Sequence, residues 1–66
     1  MAISVDDRQI AWRPGMTLQD VVSGLKEGDM IAVVRLDGKL VSRPSFAATP
    51  VHDGALIQPI PLVAGG

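Results

Sequence analysis

Apolar residues at the start of the chain are spaced two apart. Ile3 and Val5 show this spacing first, and Ile10 and Trp12 repeat it after the polar segment Asp6-Asp7-Arg8. A period of two is typical of half-buried β-strands. Two such runs with a short polar interruption indicate a hairpin. The sequence therefore predicts two antiparallel strands here.

The apolar spacing then becomes helical. Four residues fall at i, i+3, i+4 and i+7, on one helix face and in the predicted core: Leu18, Val21, Val22 and Leu25. Thr17 and Asp20 have the spacing of a capping box, and Met16 before the cap can pack on Val21. Gly28 suits the position just past a helix end. We expect a helix over residues 18–27.

The second half of the chain begins with another predicted hairpin. The nearly continuous apolar run Ile31–Leu36 is typical of a central strand covered on much of both faces. Asp37-Gly38 is a two-residue turn that needs positive φ angles, and residues 39–41 form the return strand. Residues 43–51 contain two prolines and no clear period, which predicts a crossing loop with one helical turn near Ser45-Phe46.

Asp53-Gly54 predicts a turn before a last strand over residues 55–62. Pro59 and Pro61 are awkward there because proline donates no ladder hydrogen bond. They lie two apart, so both missing N–H groups point to the same side. The strand therefore either pairs on one side only around them or leaves the sheet early.

The predicted order is β-β-α-β-β-β, with one helix to cover one sheet face. This is an α+β fold, the ubiquitin-like β-grasp, with a mixed sheet of about five strands. Residues 1–62 would form this single domain, and residues 63–66 a flexible C-terminal tail. A chain of 66 residues is long enough for only one small core.

Composition narrows the function. The net charge is −1 without a basic stripe, which argues against a nucleic-acid partner. No apolar run approaches the roughly 20 residues of a membrane span, and no signal-peptide pattern occurs, so we expect a cytoplasmic protein without a membrane partner. Cysteine is absent, His52 has no second ligand nearby, and no acids are paired at a plausible site. We therefore expect no metal, no cofactor and no catalytic group, and so no enzyme.

The sequence finishes with Gly65-Gly66. Without side chains this segment is thin and conformationally free, and its one chemical handle is the α-carboxylate of Gly66. Such a tether could thread a narrow channel in another enzyme. Taken alone, two terminal glycines are more simply a frayed end.

An ordered set of short motifs runs along the chain: Gly15-Met16-Thr17-Leu18, Asp37-Gly38, Val41-Ser42-Arg43, Ser45-Phe46, Thr49, Asp53-Gly54-Ala55 and Val63-Ala64-Gly65-Gly66. Over essentially the whole chain, this set resembles the ThiS family of sulfur carriers in thiamine biosynthesis and their molybdopterin-synthase relatives. Ser42 and Ala55 depart from the family pattern, and the prolines of the last strand are unusual for it.

The resemblance implies a role for the tail. A ThiF-like adenylating enzyme would activate the carboxylate of Gly66 with ATP, and a sulfur donor protein would convert it to a thiocarboxylate for thiazole synthase. Val63, Ala64 and Gly65 would thread the partner's active site. Alternation along the last strand turns Ile60 and Leu62 outward, so we expect these two to form the partner-binding surface.

Other interpretations stay open. The carrier could serve molybdopterin, tungsten cofactor or amino-acid biosynthesis. The chain could instead be a ubiquitin-like modifier joined to lysines through Gly66, or a plain binding module. Trp12 is better explained as half-buried packing than as a partner anchor. Arg43 is better explained as a solvated or loop-bracing residue than as one that binds an acid of a partner.

Overall fold

The computed structural model describes residues 1–26 and 28–61. Its strands and helix are β1 (Ala2–Val5), β2 (Arg8–Ala11), α1 (Leu18–Ser23), β3 (Ile31–Leu36), β4 (Lys39–Ser42) and β5 (Leu56–Pro61). Short 3₁₀ helices occupy Gly28–Met30 and Arg43–Ala48. The second of these confirms the helical turn predicted in the crossing loop.

The five strands form one sheet in the order β2-β1-β5-β3-β4. β1 and β5 are parallel, whereas β1–β2, β3–β4 and β3–β5 are antiparallel. The sheet is therefore mixed, as predicted. β3 has a neighbour on both sides, but the middle strand is β5. Residues 62–66 follow this middle strand in the sequence.

One face of the sheet packs against α1 and the Arg43–Ala48 segment. The buried apolar residues are almost all aliphatic: Ile3, Val5, Met16, Leu18, Val21, Val22, Ile31, Val34, Phe46, Val51, Ala55 and Ile57. Leu25 is half-buried and packs against this core, together with Trp12. The indole N–H of Trp12 donates to the Val51 carbonyl at 2.9 Å, so the packing interpretation of Trp12 is confirmed.

The start of α1 is confirmed, but the predicted end is wrong. Thr17 and Asp20 form the capping box. The helix stops at Ser23, because Gly24 caps it with its N–H on the carbonyls of Val21 and Val22. The glycine at position 28 has another role. A Cβ there would lie 2.3 Å from the Val22 carbonyl oxygen, so only glycine lets the backbone approach α1 this closely.

The remaining loops follow the local chemistry of the sequence. Asp37 and Gly38 have φ angles of 51° and 89°, as the predicted hairpin turn requires. Arg43 donates to the backbone carbonyls of Gly28 and Ile31, and its guanidinium lies 5.7 Å from the centre of the Phe46 ring. Arg43 therefore braces two loops, which is one of the two roles expected for it.

Candidate functional site

The candidate site is the end of β5 and the tail that follows it. β5 ends at Pro61, the last residue the structure describes. The predicted threading residues Val63, Ala64 and Gly65, the reactive Gly66, and Leu62 of the predicted surface lie outside the described residues. Their roles stay predictions, while the geometry that leads to them is defined.

The backbone nitrogens of both prolines in β5 point toward a side of the strand where no neighbouring strand lies. The Ile57 carbonyl accepts the Asp6 N–H at 3.0 Å, so position 57 points toward β1. Positions 59 and 61 point the same way, since strand residues alternate. β1 pairs with β5 only as far as Val5–Ile57. No ladder hydrogen bond is lost, and β5 stays paired with β3 to Pro61. Of the two predicted alternatives, one-sided pairing is correct.

The two faces of β5 differ as the alternation predicted. Ile57 is buried and Pro59 half-buried on the helix side, whereas Ile60 is 41% exposed on the opposite face. Ile60 pairs with half-buried Val33 of β3. Ile60 thus presents apolar surface immediately before the tail, as the prediction for this residue requires.

More apolar surface lies on this outer face than the sequence analysis identified. Leu40 and Leu56 are 65% and 60% exposed. Leu40 pairs with Arg35, which in turn pairs with Gln58, so Leu40 lies on the face of Gln58. Leu56, Gln58 and Ile60 are spaced two apart along β5 and share one face. Both leucines therefore lie on the face of Ile60. Alternation within β4 and β5 was the signal that could have found them.

A charged cluster fixes the opposite end of β5. His52 Nε2 lies 2.6 Å from Asp37 Oδ2, and its Nδ1 lies 2.8 Å from the Asp53 carbonyl oxygen. The other carboxylate oxygen of Asp37 accepts the Leu56 N–H at 2.9 Å. Both partners of the imidazole are acceptors, so both ring nitrogens donate when the ring is protonated.

The protonation states of this pair follow from the same contacts. The hydrogen bond to Asp37 raises the pKa of His52 above its ordinary 6.5, and the Asp53 carbonyl adds to this. The Leu56 N–H, followed by His52, lowers the pKa of Asp37 below 3.8. His52 lies beside the Asp53-Gly54 turn, and its contact with Asp37 was not predicted from the sequence.

Two classes of site receive no support in the part of the chain that the structure covers. Residues 1–26 and 28–61 contain no group of three or more potential metal-ligating side chains. No helix within these ranges is long and apolar enough to cross a membrane.

A mixed five-stranded sheet with one helix across it defines a ubiquitin-like β-grasp protein. The ThiS family model matches residues 2–66. The chain therefore belongs to the ThiS family. Its structure is similar to the crystal structure of the thiamine biosynthesis protein ThiS from Geobacter metallireducens, with a TM-score of 0.76 and 21% sequence identity over 100% of both chains.

Proposed function

We propose that this chain is a sulfur carrier in thiamine biosynthesis and that the α-carboxylate of Gly66 carries the sulfur. The supporting observation is that the family match spans residues 2–66, the β-grasp body and the Gly-Gly segment together. The similar structure from Geobacter metallireducens is of a thiamine biosynthesis protein, which favours this pathway over the other sulfur pathways.

The chemistry needs activation because a carboxylate is a poor electrophile. The carboxylate of Gly66 attacks the α-phosphate of ATP on a ThiF-like enzyme, which forms an acyl adenylate and releases pyrophosphate. The persulfide sulfur of a donor protein then attacks the carbonyl carbon, and AMP leaves as the C–S bond forms. A thiol then cleaves the S–S bond to the donor, which leaves the thiocarboxylate on Gly66 and a disulfide between that thiol and the donor. Thiazole synthase is the acceptor of this sulfur. The carrier is thus a substrate of its partners.

The end of β5 suits this role in length and in surface. Five residues follow Pro61 and span roughly 17 Å when extended, enough to enter an active site while the domain stays outside. Ordering residues 63–66 costs about 4–8 kcal/mol at 1–2 kcal/mol per residue. Contacts of the domain must offset this cost, and Ile60, with Leu62, would supply them.

Reconstitution tests the function. The untagged chain ending at Gly66 is incubated with ATP, the ThiF-like enzyme of the same organism and a sulfur donor, and its intact mass is measured. We expect a mass increase of one oxygen-to-sulfur exchange, located at Gly66. A control chain with one alanine added after Gly66 should stay unmodified. An unchanged mass of the untagged chain, or lysine conjugates in its place, would contradict the carrier role.

A charge on Ile60 tests the partner surface. We expect Ile60→Glu to weaken binding to the adenylating enzyme by about tenfold or more, because a charged group would replace an apolar contact. Leu56→Glu, on the same strand and face but at its far end, is the matched control. Equal affinities of the two variants in calorimetry would remove Ile60 from the proposed surface.

A further inference from the structure

A depression of about 260 Å³ lies on the helix side of the sheet beside the end of β5. We call it the tail-root notch. It exists because β1 ends at Val5 and α1 ends at Ser23, so neither element covers this corner of the sheet. Its apolar walls include Val5, Ile31 and the two prolines of β5. The last described residue before the tail is thus part of its lining.

The described lining residues of the notch carry an excess of positive charge. Arg8 and Lys26 line it, and Asp6 is the one acidic residue among its described lining residues. Arg8, Lys26 and Asp6 are all exposed. Within residues 1–26 and 28–61 the one ion pair is His52–Asp37, so the structure shows no internal acid held by Arg8 or Lys26.

We propose that the tail-root notch receives an acidic side chain, beside an apolar one, from the adenylating enzyme that takes up the tail. The inference rests on the proposed function and adds a second contact on the other face of the strand. A partner that holds the tail must pass Pro61, which joins the notch to the tail. The enzyme would contact Ile60 on the outer face of the sheet and the notch on the helix side.

The chemistry of β5 defines how the partner makes this contact. Pro59 and Pro61 have no N–H on the notch side, so a partner strand cannot form a full ladder there. A side chain that enters the notch needs no such donors. The two basic groups select a carboxylate, and the proline and aliphatic walls accept an apolar neighbour. Contacts between opposite charges at the rim of an interface raise the association rate most strongly at low salt.

A charge-reversal experiment tests the notch. The double variant Arg8→Glu/Lys26→Glu is compared with Arg13→Glu/Lys39→Glu, which changes net charge equally at exposed positions outside the notch. Pyrophosphate release by the ThiF-like enzyme is measured against carrier concentration. We expect the notch variant to raise KM at least tenfold with kcat within twofold, and to lose most of the salt dependence. The control should change KM less than threefold.

Each outcome separates the two proposals. No adenylation of the unaltered chain would overturn the proposed function itself. An active unaltered chain with equal KM values for both double variants would overturn the notch alone. A lower KM for the notch variant would also overturn it, since the notch would then hold the chain's own terminal carboxylate. If the charge-reversal variant does not fold, the milder variant Arg8→Gln/Lys26→Gln replaces it, and circular dichroism checks that this variant is folded. We expect it to raise KM about threefold.

Discussion

The two ends of β5 are held differently. At its start, Leu56 exchanges hydrogen bonds with Asp37 through both its N–H and its carbonyl, and Ile57 lies between paired strands on both sides. At its end, Pro59 and Pro61 pair with β3 alone. One strand thus combines a start that is held on both sides with an end that is paired on one side only. The difference shows that a strand in the middle of a small sheet can still leave one side of its end unpaired.

The prediction with the largest expected effect compares the truncation of isoleucine to alanine at the two ends of β5. Ile57→Ala should lower the free energy of unfolding by about 2–5 kcal/mol, because Ile57 is 1% exposed and its loss leaves a cavity. Ile60→Ala should lower it by less than about 1 kcal/mol, because Ile60 already contacts solvent. Urea unfolding followed by circular dichroism measures both.

The milder Ile57→Val should cost about 0.5–1.5 kcal/mol and keeps this comparison measurable if the alanine variant does not fold. Similar losses for Ile57→Ala and Ile60→Ala would show that the end of β5 is anchored as firmly as its start.

A second test uses the direction of the backbone N–H groups. The Gln58 N–H points toward β3, since position 57 points toward β1. Gln58→Pro should therefore cost about 1–3 kcal/mol, because it removes a ladder hydrogen bond to the opposite residue, Arg35. Pro59→Ala should cost at most about 1 kcal/mol, mainly through a more flexible unfolded chain. Hydrogen exchange of the β3 amides and urea unfolding would measure both, and equal losses would refute the one-sided pairing.

The smallest effect concerns the pH dependence of the anchored end. Because the pKa of His52 is raised, the contribution of His52 to the stability of the fold is complete below about pH 6.5. This contribution is lost as the pH rises through the pKa of His52 in the folded state. Because the pKa of Asp37 is lowered, the contribution of Asp37 to the stability of the fold is present above about pH 3.9. This contribution is lost as the pH falls through the pKa of Asp37 in the folded state. The pair therefore stabilises the fold between these two folded-state pKa values.

Removing the imidazole isolates this effect. The stability difference between the unaltered chain and His52→Gln should shrink as the pH rises from 6 to 9, measured as the midpoint of thermal unfolding. NMR titration of the His52 ring should give a pKa above 6.5. A pKa at or below 6.5 would contradict the ion pair, and with it the anchoring of the Asp37 turn.

Features set by neighbouring residues could be predicted from the sequence. The capping box at Thr17 and the Asp37-Gly38 turn depend on residues within a few positions of one another. The exposure of Ile60 followed from alternation, and the overall fold from the order of elements and the resemblance. The reactive tail itself stays a prediction.

Features that depend on distant segments could not be predicted. His52 and Asp37 lie 15 residues apart and meet only through the fold. The effect of the two prolines depends on where β1 ends, which the sequence of β5 does not contain. The tail-root notch likewise depends on the end of α1 at Ser23, whereas the apolar spacing up to Leu25 predicted a longer helix.

The strand order has a consequence for self-association. β2 and β4 are the edges of the sheet, and each has four residues. Short edges offer few unpaired groups to another molecule, and Arg8 and Lys39 add charge to them. Leu40 is the weak point, since it is 65% exposed on the β4 edge. If molecules of this protein aggregate at high concentration, contact between β4 edges is where the first intermolecular pairing should form.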